Sequence, residues 1–231
     1  FGSLSVVGSV ESRGASVLNM TAADKIKIGG SIRTSVGGAP TTLNITNTLK
    51  QITVGGGVDG VIRAGKAGIM KITGDLTGPE SDNGGFIDLS GSADQISIGG
   101  SLLGRIRDYT GAIRVGTNLG KLAVGGSLIG AGGAMDVDYE HSAAIQIGGN
   151  LGVATIRGGI RGPGVNSGQD LVSCGSIEVG GDVTSLTIGG SLQVDGVGTL
   201  SSTKNVGHLS ARHFGSLIIG GSVLGESTMS I

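Results

Sequence analysis

The chain has 231 residues, of which 49 are glycine and only 3 proline; glycine stands at about three times its usual share of roughly 7% without a three-residue period, which excludes a collagen helix. Five aromatics (Phe 3, Tyr 2, Trp 0) among 38% hydrophobic residues require a core of Ile, Leu, Val and Ala, and a mean hydropathy of +0.27 excludes simple disorder. Lys and Arg number 16 against 17 Asp and Glu, net −1, so no charge footprint for nucleic acid or a membrane surface is present.

Taken in chain order, the predicted elements are copies of one phrase: apolar, any residue, apolar, Gly, Gly, small polar, apolar. Clear copies begin at Ile26, Ile52, Ile96, Leu122, Ile145, Ile177, Leu186 and Leu217, and weaker ones at Leu4, Ile72, Ile113 and Ile156. Residues 112–120 and 121–129 sit back to back as nonapeptides, as do 42–50 and 51–59. The unit is therefore about nine residues, and about three units make a period of about 26.

The apolar-any-apolar triplet is a minimal strand with both apolar side chains on one face. The Gly-Gly pair is read as a corner reached through positive φ, and the Ser, Asp or Asn that follows as a residue that bonds turn backbone. Recurrent glycine disfavours helices at roughly 1 kcal/mol each relative to Ala, and the strands are too short for an antiparallel sandwich. The predicted fold is all-β, a right-handed parallel β-helix (β-solenoid) with roughly triangular coils of about 26 residues. Right-handedness follows from the preference of parallel connections. About nine coils, at about 4.8 Å each, give a rod roughly 43 Å long.

One continuous solenoid is expected over residues 1–231, with period-breaking insertions near 77–84, 130–142 and 196–205. Such insertions leave a corner as loops. The expected inward ladder is Ile28, Val54, Ile98, Val115, Val124, Ile147, Val179, Ile188 and Ile219. Phe1 to Val10 aligns without gaps on Phe214 to Val223 with seven identities in ten. The expectation is a segment of a longer array, or ends that meet copies of themselves, since neither end carries a polar cap.

The phrase Ile96-Ser97-Ile98-Gly99-Gly100-Ser101-Leu102, repeated at Leu186 to Leu192, resembles the Gly-rich β-solenoid repeats of very large bacterial exported and surface proteins, including giant surface proteins of planctomycetes. More distantly it is similar to filamentous-haemagglutinin and autotransporter-passenger solenoids. The resemblance spans essentially the whole chain and is to a repeat class. It implies a bacterial cell-surface or extracellular location, with adhesive or scaffolding roles, and supplies no catalytic residues.

The chemistry-bearing candidates are sparse. Asp136, Asp138 and Glu140 alternate, so in an extended segment all three would point one way, with His141 beside them, as an incidental Ca²⁺ site would need. Glu80, Asp82, Asn83 and Asp88 form a second acidic patch. A stacked calcium nonapeptide is not expected, because the residue after Gly-Gly is mostly Ser (Ser31, Ser101, Ser127, Ser191, Ser222) rather than a repeating Asp. His208 and His213 lack neighbouring ligands and are read as surface residues. The lone Cys174 makes no intramolecular disulfide.

The expected function is a non-enzymatic structural or adhesive solenoid segment of a bacterial surface or extracellular protein, its targeting signal lying outside this segment. No cofactor is expected beyond the incidental Ca²⁺, and no catalytic residue is assigned. Expected partners are copies of itself end to end or flanking repeats of the same chain, together with surface glycans or other cells; nucleic acid and membrane insertion are not. Alternatives from other classes are a carbohydrate-active β-helix of the lyase or hydrolase type and a calcium-stabilised exported repeat.

Overall fold

The computed structural model describes residues 2–12, 16–34, 39–78, 84–105, 108–131, 139–162, 170–172, 174–194, 202–204, 207–224 and 228–230. Among them the regular structure is all strand. The strands pair in parallel from one turn to the next, with partners 18 (Ile52 with Met70) to 32 (Ala154 with Leu186) residues apart. The fold is all-β, parallel and solenoid-like.

Registers sort the apolar residues into three ladders, one to a face. The first holds Leu4, Ile26, Ile52, Met70, Ile96, Leu122, Ala154, Leu186 and Leu217. The second, met after the next corner, holds Val10, Ile32, Val58, Leu76, Leu102, Leu128, Ile160, Leu192 and Val223. The third holds Leu18, Leu43, Ile62, Ile87, Ile113, Ile145, Ile177, Leu209 and Met229. From Ile26 to Leu186 no member of the first ladder is more than 1% exposed. At about 1.5–3 kcal/mol for each fully buried aliphatic side chain, the stack is the main source of stability.

The ladder expected from the sequence mixes two faces. Ile28, Val54, Ile98, Val124, Ile188 and Ile219 share the first face, whereas Val115, Ile147 and Val179 follow Leu89 on the third. The reason is that one phrase turns two different corners. Residues 96–102 pass from the first face to the second, and residues 145–151 from the third to the first. The nine-residue step from Ile177 to Leu186 is thus one side of a turn to the next.

The glycine pairs are also used differently from the expectation. Among the described residues, left-handed glycines are Gly85, Gly111, Gly175 and Gly207, none of them in the Gly-Gly pair of the repeated phrase. The corner pairs are glycine because the turns stack closely. A Cβ on Gly29, Gly55, Gly125 or Gly189 would strike the carbonyl oxygen of the residue beneath it: Val7, Gly29, Gly99 and Arg157 respectively. A Cβ on the second glycine (Gly30, Gly126, Gly181, Gly221) would strike the Ser or Asn side chain of the turn beneath.

That side chain is itself engaged. Ser127 N donates to Ser101 Oγ at 3.1 Å, Gly159 N to Ser127 Oγ at 3.2 Å, and Asp182 N to Asn150 Oδ1 at 2.9 Å. The small polar residue does bond turn backbone, but the backbone belongs to the neighbouring turn. Each such bond contributes about 1 kcal/mol and fixes the vertical register.

The insertions leave from the corner between the second and third faces. Tyr139–Glu140, Asp170–Val172 and Ser202–Lys204 stack there as a separate three-stranded parallel sheet. The loop necks are tied by buried hydroxyls. Thr110 Oγ1 accepts from Arg105 N at 2.8 Å, and Ser142 Oγ accepts from Ala131 N at 3.1 Å.

Candidate functional site

On the third face the residue between two inward apolar side chains points outward. Registers stack these residues as Asn19, Asn44, Arg63, Asp88, Arg114, Gln146, Glu178 and Ser210. The column lies in a shallow groove made of two adjoining concavities. One, of about 410 Å³, runs past Arg114, Gln146, Glu178 and Ser210. The other, of about 560 Å³, runs past Asn44, Arg63, Asp88 and Arg114. Gly116 lines both, and Gly148 and Gly180 continue the same corner. Gly65, Gly116, Gly148 and Gly180, where a Cβ would strike a carbonyl of the turn beneath, leave the space beside the column open apart from the small Thr46 and Ser90.

The centre of the groove is a charged cluster. Arg114 donates through Nε and Nη2 to Asp88 Oδ1 and Oδ2 at 2.8 and 2.9 Å, and Arg63 Nε lies 3.5 Å from Asp88 Oδ2. The bond to Asp88 holds the Arg114 guanidinium above its ordinary range. The same guanidinium lies 5.6 Å from the Phe86 ring centroid and 5.7 Å from that of Tyr109, within the range of cation–π attraction. Tyr109 stacks on His141 with centroids 4.8 Å apart and planes 2° from parallel. Both take left-handed backbone, φ 51° and 61°, a conformation costing a non-glycine residue about 1–2 kcal/mol. At one end Asn44 Nδ2 donates to Asn19 Oδ1 at 2.8 Å. Gln146 and Ser210 make no side-chain hydrogen bond to another described residue.

Of the acidic candidates from the sequence, Asp136 and Asp138 lie outside the described residues. Glu140 is in the strand Tyr139–Glu140, in register with Val172 and, beyond it, Lys204. Of the second patch, Glu80, Asp82 and Asn83 also lie outside the described residues, and Asp88 is the carboxylate gripped by Arg114. Among the described residues no group of three or more His, Cys, Asp or Glu is placed to hold a metal ion. His208 is buried, 6% exposed, rather than on the surface; His213 is exposed. Cys174 is buried, and burial pushes its thiol up to about 12.

The corner carboxylates have structural duties. Asp75 Oδ1 accepts from Ser101 N at 2.7 Å. Asp182 is held below its ordinary range by the bidentate Arg212, at 2.8 Å on each oxygen.

Arg63, Arg114, Gln146 and Glu178 were not singled out as a site by the sequence, where each fills the variable place of the repeat. A partial signal was available: sorted by corner type, the third-face copies carry Asp88, Arg114, Gln146 and Glu178 in successive turns, whereas the first-face copies carry Lys27, Thr53, Lys71, Ser97, Ala123, Thr155, Thr187 and Ile218, uncharged from Ser97 on. Sorting requires knowing that the phrase turns two corners. Chemically, the column offers donors and acceptors in fixed order. Asp88 and Glu178 are three registers apart, about 14 Å at one strand spacing each, beyond the roughly 5–9.5 Å that separates the carboxylates of glycoside hydrolases.

Comparison with known proteins returns no matching protein family, no matching curated protein and no matching solved structure.

Proposed function

We propose that the chain is a non-enzymatic structural and adhesive segment of a bacterial surface or extracellular protein. In this reading it is one continuous right-handed solenoid over residues 1–231, of about nine roughly triangular coils averaging about 26 residues. The observation that carries it is the set of three aliphatic ladders, in which the buried apolar side chains of one turn pack on those of the next. Bacterial surface placement rests on the resemblance of the Gly-Gly-Ser phrase to exported repeats.

Two further features support this reading over its rivals. The carboxylates of the groove are too far apart for paired acid/base work, and Asp88 is neutralised between two guanidiniums. The small polar corner residues are occupied by amide bonds between turns, which leaves their oxygens committed without a cation.

Leu18, in the first described register of the third ladder, and Val223, in the last described register of the second, present 43% and 48% of their surface, and a further coil from flanking repeats or a second copy would cover them. Light scattering and electron microscopy of the purified chain test the second case. Multimers with an axial repeat of about 43 Å, dissociated by Val223→Lys, are expected. A strictly monomeric chain at all concentrations overturns end-to-end assembly.

A further inference from the structure

The groove on the third face combines features that a purely structural stack does not need. Arg63, Asp88, Arg114, Gln146, Glu178 and Ser210 project from consecutive turns of a rigid parallel sheet. Asp88 is taken up by the two guanidiniums; in order the other groups are a donor, a donor, a group that does both, an acceptor that also takes the Ser176 hydroxyl at 3.5 Å, and a second group that does both. Their charges cancel, two positive against two negative, so a polyanion gains no net attraction. The pairing that builds the face also occupies its strands on both sides along the groove, which removes the free edge that an extended peptide would extend. No apolar side chain stands in the outward column to make a peptide-anchoring pocket.

A polymer of hydroxyl groups, each of which donates and accepts, matches this comb. From Asn44 to Ser210 the column spans six registers, about 29 Å at one strand spacing each. Weak contacts repeated over that length add up on one polymer chain. Two further observations single out its middle. Arg114 is laid over the rings of Phe86 and Tyr109, and Tyr109 and His141 keep stacked rings at the cost of left-handed backbone. Strained backbone of this kind is concentrated at binding sites.

We propose that this groove binds a single chain of a neutral, hydroxyl-rich polysaccharide laid along the stacking axis, gripped by Arg63, Arg114, Gln146, Glu178 and Ser210 and not cleaved. The proposal rests on the adhesive half of the function proposed above and names its ligand class and its site.

Native gel electrophoresis in gels containing xylan, laminarin or hydroxyethylcellulose tests it, with polygalacturonate as the anionic comparison. At least one neutral polymer retards the chain, and polygalacturonate retards it less. The double variant Gln146→Ala/Glu178→Ala binds about tenfold more weakly or worse, the effect of losing two hydrogen-bonding side chains, while its thermal unfolding matches wild type. Thr155→Ala, outward on the first face, binds as wild type. Failure of all three neutral polymers overturns the proposal, as does retardation untouched by the double variant, or stronger retardation by polygalacturonate that Lys25→Ala/Lys27→Ala on the first face abolishes. Light scattering on the same samples separates the two readings: multimers without retardation sink the groove alone, and a retarded monomer sinks end-to-end assembly alone.

Discussion

Glycine stands at the second place of the first corner in register after register: Gly8, Gly30, Gly56, Gly74, Gly100, Gly126, Gly158, Gly190 and Gly221. If close stacking is the cause, Gly126→Ala is costly for a reason that can be dissected. The new Cβ meets Ser101 Oγ and lies 3.0 Å from both Gly100 C and Ser101 N. Moving Ser101 Oγ aside removes the acceptor of Ser127 N, about 1 kcal/mol. Crowding two backbone atoms adds about 1–3 kcal/mol. The lower entropy of alanine in the unfolded chain returns about 0.4–1 kcal/mol. The net expectation is a loss of about 1–3.5 kcal/mol.

Gly8 provides the control, since a Cβ there has no heavy atom within 4 Å. Gly8→Ala is expected to be neutral or to stabilise by up to about 1 kcal/mol. In a Ser101→Ala background the Oγ is absent, so Gly126→Ala costs about 1 kcal/mol less than in wild type, a coupling a double-mutant cycle measures. Urea unfolding followed by circular dichroism gives the free energies. Because stacked repeats can unfold in stages, hydrogen exchange at the Ser127 amide supplies a local readout and should quicken in Gly126→Ala. A cost within 0.5 kcal/mol of the Gly8→Ala value, on the scale of ordinary surface changes, would refute the stacking argument.

Ile96→Ala, at a fully buried site between Met70 and Leu122 in the first ladder, is expected to lose about 2–5 kcal/mol in the same unfolding assay; a loss under about 1 kcal/mol means the ladder is not continuously packed there. Asp59 is pushed above its ordinary range, chiefly by burial and against the opposing effect of the Thr34 N–H that donates to it. Its folded state therefore holds a proton more tightly than the unfolded chain, so stability present at acid pH is lost as pH rises through the folded value. Asp59→Asn should melt higher than wild type at neutral pH and converge with it below the ordinary carboxyl range; parallel pH series of melting temperatures check this, and a variant that melts lower at neutral pH contradicts it. Cys174, buried and with its thiol pushed up to about 12, should resist a thiol-specific reagent in the native protein and react at a rate that follows unfolding as urea is added. Rapid labelling without urea would show that the corner opens locally.

How far the sequence disclosed this arrangement depends on which constraint wrote it. The inward positions are legible because burial acts on every turn alike, and Ile26, Ile52, Ile96 and Leu122 repeat one demand. The cause of the glycines was not legible. A residue kept small by positive φ and one kept small by the carbonyl beneath it look the same in a sequence, and Gly125 and Gly111 differ only once φ and the neighbouring turn are known. The groove was hidden for a related reason. Gln146 and Thr187 sit at the same place in the same phrase, yet one faces the groove and the other the first face, because the phrase serves two corners. Ala143 shows the limit of pattern from the other side: it holds left-handed backbone, φ 50°, at the corner where Gly111 and Gly175 stand in the adjoining turns, and no sequence pattern would place it there.

The insertions follow from the same physics as the coils. Leu122 pairs with Ala154 after 32 residues, Ala154 with Leu186 after 32, and Leu186 with Leu217 after 31, whereas Met70 to Ile96 and Ile96 to Leu122 take 26 each. The extra length thus enters three turns in succession at one corner. From the sequence, insertions are expected near 77–84, 130–142 and 196–205, segments that lie largely outside the described residues, and none between 162 and 174, where equal steps on both sides disguise the extra length as the period itself. A lone strand thrown out from a single turn would leave its N–H and C=O groups without partners. Lengthening the adjacent turns supplies those partners, and Tyr139, Leu171 and Thr203 come into register. An outgrowth on a stacked fold is therefore stabilised by being repeated, and Asp170–Val172 is held by neighbours on both sides while Tyr139–Glu140 and Ser202–Lys204 form the edges of that stack.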